Sequence, residues 1–100
     1  MPFPTKEYAF NYATLLTVNE IGAVYGLFKP NPTRPGYFIP LYVGETDNLR
    51  RRLFEHYNNP PIAGITHFFV EISPIERQRL IREKQLIAEF NPPGNKTGGG

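Results

Sequence analysis

The chain has 100 residues, of which 40% are hydrophobic and 14% aromatic, which predicts one small globular domain and argues against a disordered segment. It contains no cysteine, which excludes disulfides and thiolate metal sites, and its formal net charge of +2 gives no general reason to expect a polyanionic partner. No apolar run reaches membrane-spanning length and no leader pattern opens the sequence. We therefore expect a cytoplasmic protein without a membrane partner, associated with the nucleoid if the source is bacterial.

The first half of the chain predicts a hairpin of two strands. Residues 12–20 indicate only a short turn or helix, and residues 21–28 are rich in strand-forming side chains. The loop at 29–36 contains three prolines and a glycine, and a second strand follows at 37–43. A loop of this length favours antiparallel pairing with an elongated tip. Pro40 has no N–H to donate, which predicts a sheet edge or a bulge at that position.

The second half predicts a helix, a strand and a longer helix. Asp47 is the predicted N-cap of a helix that ends near Tyr57, and a third strand covers residues 65–72. In the segment SPIE, residues 73–76, the serine is a predicted cap, the proline the first helical residue and the glutamate the partner in a capping box. This helix should end at Phe90, before NPP. The fold class is then α+β, a small mixed or antiparallel three-stranded sheet flanked by helices in the order ββαβα.

A carboxylate interrupts the apolar stripe of the longer helix. At about 100° per residue, Glu83 falls near the middle of that stripe. The apolar members of the stripe are Ile75, Leu80, Leu86, Ile87 and Phe90. A carboxylate facing a core costs several kcal/mol unless it is paired, hydrogen-bonded or bound to a metal. Two interpretations remain open: an internal salt bridge to an arginine, or a metal-binding or catalytic carboxylate.

Positive charge is concentrated directly behind the end of the second strand. Arg50, Arg51 and Arg52 stand in a row, and Arg52 lies four positions before His56, so these two side chains are neighbours along one flank of the first helix. A surface ion pair for Arg52 and a partly buried, backbone-bonded His56 are the simpler interpretations. The three arginines are also candidates for nucleic-acid binding.

Two tyrosines and an asparagine complete the candidate set. Tyr25 lies on the first strand and Tyr42 on the second, and core packing with a satisfied hydroxyl is the simplest role for each. Asn95, after NPPG, is by itself a turn residue. Together with the arginine, the histidine and the glutamate described above, they form a polar site able to hold a divalent cation and an anionic oxygen.

These residues resemble the signature of the GIY-YIG endonuclease family. The tripeptide AVY (23–25) stands where the family has GIY, and YVG (42–44) matches YIG. The segment NLRRRLFEH (48–56) is similar to the family segment that contains the catalytic arginine. The segment EKQLIAEFNPPGN (83–95) is similar to the one that begins with the metal-binding glutamate and closes with an asparagine.

The resemblance covers most of the chain and departs from the family pattern at two points. It divides the chain into an N-terminal extension (1–15), a GIY-YIG-like nuclease domain (16–95) and a flexible tail (96–100). The first tripeptide begins with Ala23 in place of glycine. The segment between the tripeptides is also longer than usual, and its loop at 29–37 is a candidate for substrate contact. Neither departure removes a side chain that the family uses in chemistry.

The resemblance implies a metal-dependent DNA endonuclease or nickase that hydrolyses one phosphodiester bond. Arg52 would face the scissile phosphate and stabilise the charge of the transition state. Glu83 would bind one divalent cation, Mg²⁺ with Mn²⁺ as the alternative. Tyr25 would deprotonate or orient the attacking water, with its phenol acidified by nearby positive charge.

The same resemblance implies supporting roles for the other three candidates. His56 and Tyr42 would hydrogen-bond within this network, and Asn95 would fix the end of the chain against the site. The implied partner is DNA, and specificity would come from the shape of the substrate, from the 29–37 loop, from a homodimer or from a separate DNA-recognition partner. A non-catalytic nucleic-acid-binding or protein-interaction module on the same fold is the alternative, followed by an α+β domain whose arginines only pair with glutamates.

Overall fold

A four-stranded antiparallel sheet is the centre of the molecule, which is represented by a computed structural model that describes residues 3–4 and 6–95. In chain order the elements are β1 (Tyr8–Ala9), α1 (Tyr12–Leu15), β2 (Ala23–Pro30), β3 (Phe38–Thr46), α2 (Leu49–Asn58), β4 (His67–Ile72), α3 (Glu76–Phe90) and a 3₁₀ turn (Pro93–Asn95). The strand order is β1–β4–β2–β3. The α+β class is confirmed. The predicted three-stranded sheet is short by one strand. The missing strand, β1, has only two residues, which is too short to show the alternation of apolar and polar residues by which a strand is recognised.

The predicted hairpin is confirmed, and β3 is an edge strand of the sheet. Tyr25 pairs with Gly44 and Leu27 with Tyr42, whereas the next residue of β2 pairs with Pro40. Leu41 is therefore the extra residue of a bulge. Both features predicted from Pro40 are present, since a residue without an N–H fits an edge strand at a bulge.

The two faces of the sheet bury different sets of side chains. Because side chains alternate along a strand, Tyr25 and Val24 point to opposite faces. One core combines α1, α2 and the sheet, and its buried members are Leu15, Ala23, Tyr25, Leu27, Leu49, Leu53, Phe68 and Val70. The other lies under α3, and its buried members are Phe3, Val24, Phe28, Val43, Phe69 and Leu86. The candidate site forms where α2 and α3 both approach the edge strand.

Helix α2 begins one residue later than predicted. Asn48, and not Asp47, is the N-cap, and its Oδ1 accepts a hydrogen bond from the backbone N–H of Arg51 at 3.0 Å. The Asp47 carboxylate instead accepts a hydrogen bond from the Arg51 guanidinium at 2.7 Å on the surface. Both residue types are good caps, so the sequence alone does not decide between two neighbours.

Helix α3 has no capping box, and the prediction for SPIE is wrong. The N-cap position is Ile75, which makes no side-chain cap. Ser73 is still held by the sheet, because its N–H donates to the carbonyl of Gly22 at 3.0 Å and its carbonyl accepts from Nη1 of Arg79 at 3.1 Å. These backbone bonds keep the serine outside the first turn of the helix.

The inward stripe of α3 is rotated relative to the prediction at its N-terminal end. Ile75 and Leu80 are 53% and 42% exposed, whereas Arg79 is only 4% exposed. Leu86 is fully buried, and Phe90 ends the helix as predicted. A buried ion pair thus occupies the space that the periodicity had assigned to isoleucine and leucine.

The segment before residue 16 contributes to the same sheet and core. Phe3 is buried beneath α3, β1 pairs with β4, and α1 confirms the short helix predicted within residues 12–20. The domain division at residue 16 stays a prediction, and the predicted tail at 96–100 lies outside the described residues. Among the helices that the structure describes, none has the length and apolar character needed to cross a membrane.

Candidate active site

A buried hydrogen bond joins two of the candidate residues, Tyr25 and His56. The hydroxyl of Tyr25, on β2, lies 2.7 Å from Nε2 of His56, on α2. Both residues are buried, and the tautomer of the imidazole decides which of them donates. This bond fixes the phenol and the imidazole relative to each other beneath the edge of the sheet.

The Tyr25 ring lies across Gly44, its partner on β3. A Cβ at position 44 would come within 2.4 Å of the hydroxyl oxygen and 2.6 Å of Cζ. Real Cβ atoms do not approach other atoms so closely, and the ring is enclosed by core side chains. The glycine that closes YVG therefore makes room for the phenol of the other tripeptide.

Burial raises the pKa of the Tyr25 phenol above its ordinary value. The nearby Tyr42 phenol and the charge of Glu83 act in the same direction, and Arg52 opposes them only in part. The expectation that positive charge acidifies this phenol is therefore wrong for the protein's own groups. Tyr25 is a neutral phenol at neutral pH, and it can donate or relay a proton but does not carry a standing negative charge.

His56 is a neutral imidazole at neutral pH. Burial lowers the pKa of the ring to about 4, and the positive charge of Arg52 adds to that effect, while Glu55 partly offsets it. With a neutral ring, Nε2 can accept the Tyr25 proton when Nδ1 carries the hydrogen.

Tyr42 and Arg52 line an open groove beside this pair. The groove is bordered by Tyr42, Arg52, Glu55, His56 and residues 58–61. The Tyr42 ring centroid lies 5.1 Å from that of His56, and the Arg52 Nη1 donates to Oε1 of Glu55 at 2.9 Å. Tyr42 was expected to hydrogen-bond within this network. Within the described part of the chain its hydroxyl makes no hydrogen bond, and only its ring contacts Tyr25 and His56.

Glu83 is half-buried, and no arginine among residues 3–4 and 6–95 forms an ion pair with it. The internal salt bridge considered for it is therefore wrong. Arg79, one turn earlier on α3, pairs with Glu45 instead, with Nε 3.0 Å from Oε2. Burial and the charge of Glu45 raise the pKa of the Glu83 carboxyl, and a hydrogen bond from the Glu45 backbone partly offsets the rise.

Asn95 closes the site from the C-terminal side. Its Nδ2 donates to the Val43 carbonyl and its Oδ1 accepts from the Val43 N–H, both at 2.8 Å. Val43 lies between Tyr42 and Gly44 on the edge strand, so the asparagine takes the place of a neighbouring strand at the one residue that separates them.

The structure brings Tyr25, Tyr42, Arg52 and His56 together at one end of the β2–β3 pair. Glu83 approaches from α3, close enough for its charge to raise the pKa of the Tyr25 phenol. The other two arginines of the run lie apart from this cluster. The list of site residues stays a prediction, with Arg51 an exposed member of an ion pair and Arg50 partly buried.

Known proteins with this arrangement were found by sequence and by structure. The chain is 35% identical over 77 residues to excinuclease Cho of Escherichia coli K12 and of Shigella flexneri, a match that covers 65% of this chain and 26% of each relative. Its fold matches the GIY-YIG N-terminal endonuclease domain of UvrC from Thermotoga maritima bound to its catalytic divalent cation, magnesium. That match has a TM-score of 0.63 at 25% identity and covers 82% of this chain and 91% of that domain. No protein-family profile matches.

The chain resembles the GIY-YIG family in fold and in sequence. It spans about a quarter of the length of the curated relatives that it matches. Point-mutant structures of the same UvrC domain match equally well, with TM-scores of 0.62 and 0.63. The resemblance extends over most of the chain and not only over the two tripeptides.

Two residues of this GIY-YIG-like domain were missed from the sequence. Glu45 follows YVG directly and sends its side chain toward α3, and Arg79 lies one helical turn before Glu83. The spacing of Arg79 and Glu83 places them on one face of the helix, which was the available signal. Sequence periodicity favours apolar residues for inward positions, so it passed over the arginine.

Proposed function

We propose that this domain is a metal-dependent endonuclease that hydrolyses one phosphodiester bond and so nicks one strand of DNA. The observation that carries the proposal is Glu83, a half-buried carboxylate without an ion-pair partner among the described residues, whose charge acts on the phenol of the Tyr25–His56 pair. A domain that only binds nucleic acid has no use for a carboxylate in that place, because it repels phosphate. The likeness to excinuclease Cho favours a role in excision repair over restriction or recombination.

The donor set fits a cation that keeps most of its own water. Mg²⁺ prefers oxygen ligands in octahedral geometry and is commonly held by one or two carboxylates plus substrate phosphate oxygens. Glu83 supplies such a carboxylate, and no group of three or more metal-ligating side chains occurs within residues 3–4 and 6–95. Glu83 would hold Mg²⁺ or Mn²⁺, and the bound ion would polarise the phosphate and stabilise the leaving oxygen.

Arg52 supplies permanent positive charge on the groove side of the site. Its pKa is raised, chiefly by the hydrogen bond to Glu55, so the guanidinium is charged at every working pH. One of its nitrogens donates to Glu55, its guanidinium also interacts with the Tyr25 hydroxyl, and the N–H groups not used in these ways would bind the scissile phosphate. A donor of this kind stabilises the additional negative charge of a pentavalent transition state.

Tyr25 and His56 handle the proton of the attacking water. The water donates to the Tyr25 oxygen, the Tyr25 hydroxyl donates to Nε2 of His56, and the two protons shift together as the water oxygen bonds to phosphorus and the bond to the leaving oxygen breaks. Because the Tyr25 phenol has a raised pKa, this relay avoids a free phenolate. Tyr42 offers its hydroxyl to the substrate, and Asn95 holds the strand that carries Tyr42.

The arginine run contributes to binding outside the reacting centre. Arg50 and Arg51 would contact the DNA backbone, where neutralising phosphates releases counterions and makes binding dependent on salt. Specificity would come from substrate shape, the 29–37 loop, a second copy of the chain or a separate DNA-recognition partner.

A plasmid-nicking assay with a matched pair of glutamate variants tests the proposal. The parent should convert supercoiled plasmid to the relaxed form in Mg²⁺ or Mn²⁺. Glu83→Gln should lose at least about a hundredfold in rate, the scale seen when one electrostatic group of an active site is removed. Glu89→Gln, an exposed change on the same helix, should cleave like the parent. DNA binding by the parent without nicking in either metal would instead support the non-catalytic module.

A further inference from the structure

A buried ion pair lies between the candidate site and the start of α3. Nε of Arg79 is 3.0 Å from Oε2 of Glu45, and the Arg79 and Glu45 side chains are 5% and 20% exposed. Nη1 of Arg79 also donates to the Ser73 carbonyl at 3.1 Å. A Cβ at Gly22 would lie 2.5 Å from the same nitrogen. The absence of a side chain at Gly22 therefore leaves the space that the guanidinium occupies.

The pair connects the two elements that define the position of Glu83. Arg79 precedes Glu83 by one turn, so both point from α3 toward the same side. Glu45 follows Gly44, on which the Tyr25 ring lies. In an antiparallel edge strand every second residue directs its N–H and carbonyl away from the neighbouring strand. Val43 and Glu45 are two such residues of β3. The outward N–H of Val43 binds Asn95, and that of Glu45 is directed at the Glu83 carboxylate.

We propose that Arg79 and Glu45 are positioning residues for cation binding at Glu83, an inference that rests on the proposed function. Arg79 holds the Glu45 side chain, and with it the end of β3 whose backbone N–H meets the Glu83 carboxylate. The Glu45 carboxylate also supplies a second negative charge near the cation, and Arg79 prevents it from turning away. Groups that orient a metal ligand commonly change affinity by about 10–100-fold when they are removed.

The same helix carries an ion pair that serves as a control. Nε of Arg82 lies 3.2 Å from Oε2 of Glu71, on β4, and both side chains are about a quarter exposed. This pair also joins α3 to the sheet, but it uses a strand that carries none of the candidate site residues. If ion pairs between α3 and the sheet only stabilise the fold, the two pairs should behave alike.

Cation affinity measured without DNA separates positioning from stability. We would titrate Mn²⁺ into the protein by calorimetry and record thermal melting and plasmid nicking for Arg79→Met, Glu45→Gln and the control variants Arg82→Met and Glu71→Gln. The first two should bind Mn²⁺ about tenfold more weakly and nick fully only at higher Mn²⁺. The control variants should keep the parental affinity. Parental affinity in Arg79→Met and Glu45→Gln, or an equal loss in the control variants, overturns the proposal.

A double variant covers the case in which the single changes unfold the protein. Replacing both partners with apolar residues, Arg79→Met with Glu45→Leu, removes the pair without leaving a buried charge, and such changes are often tolerated. This folded variant should still bind Mn²⁺ about tenfold more weakly, whereas parental affinity would show that the pair is only structural. If the parent itself neither binds Mn²⁺ nor nicks DNA, or if Glu83→Gln does both, it is the proposed function that fails.

Discussion

The hydroxyl of Tyr25 and Nε2 of His56 lie 2.7 Å apart inside the core, although 31 positions separate them in the chain. One comes from the second strand and the other from the helix after the hairpin, so the contact exists only when the sheet and α2 are assembled. This buried hydrogen bond therefore requires the folded domain.

His56 makes the stability of the domain depend on pH in a defined window. The ring has a pKa of about 4 in the folded protein, against an ordinary value of about 6.5, so the unfolded chain binds more protons between these values. The contribution of His56 to stability should be complete above about pH 6.5, and the free energy of unfolding should fall by about 2–3 kcal/mol as the pH drops to 4. Urea denaturation at a series of pH values measures it.

The variant His56→Gln isolates this contribution, because glutamine does not titrate. Its stability curve should be flatter than the parental curve between pH 4 and pH 6.5, whatever its absolute stability. Equal slopes for the two proteins in that window would contradict the burial of a neutral imidazole.

Gly44→Ala should damage both stability and activity. The new methyl group meets the Tyr25 hydroxyl, and the ring can move away only by disturbing the core, which costs about 1–3 kcal/mol for overpacking of this kind. Nicking should fall sharply because the phenol leaves His56. Thermal melting and the plasmid assay report the two effects.

The double variant Gly44→Ala with Tyr25→Leu tests the cause. A smaller side chain at position 25 should recover part of the lost melting temperature but none of the lost nicking. If Gly44→Ala alone were as stable as the parent, the close approach of ring and backbone would not restrict position 44.

Asn95→Ala should destabilise the edge strand that carries Tyr42. It removes two hydrogen bonds of 2.8 Å from Val43, and leaving such backbone groups without their partners costs about 1–3 kcal/mol. We expect a lower urea midpoint and slower nicking. Asn19→Ala, at an exposed position, should stay within about 0.5 kcal/mol of the parent and serves as the control.

Arg52 and Arg51 should affect different measurements. Arg52→Gln should lower the nicking rate at saturating DNA by about a hundredfold with little loss of stability, because its ion pair with Glu55 is half-exposed. Arg51→Gln should leave that rate alone but reduce by about one the slope of log affinity against log salt. A lower saturating rate in Arg51→Gln would show that the residue acts at the reacting centre.

The features that depend on local pattern could be predicted from the sequence. The hairpin, the bulge at Pro40 and the end of α3 at Phe90 each follow from residues that permit few alternatives. The inward direction of Glu83 follows from helical spacing, and the family resemblance predicts its role. These predictions need no knowledge of which distant residues meet.

Features that depend on tertiary contacts could not be predicted in the same way. The Tyr25–Gly44 approach and the Arg79–Glu45 pair involve residues on different elements, and nothing local marks them. The predicted direction of the pKa shift at Tyr25 is wrong, because the sequence shows the positive charge of Arg52 but not the burial that outweighs it.

The edge of β3 beside Tyr42 is covered by the 3₁₀ turn and by α3, and not by a fifth strand. A bare strand edge invites pairing with the same strand of another molecule, which leads to aggregation. A fifth strand would prevent it but would also block the approach of a long polymer to the groove. The amide group of Asn95 occupies both backbone groups of Val43, so this position of the edge has no N–H or carbonyl left for the strand of another molecule.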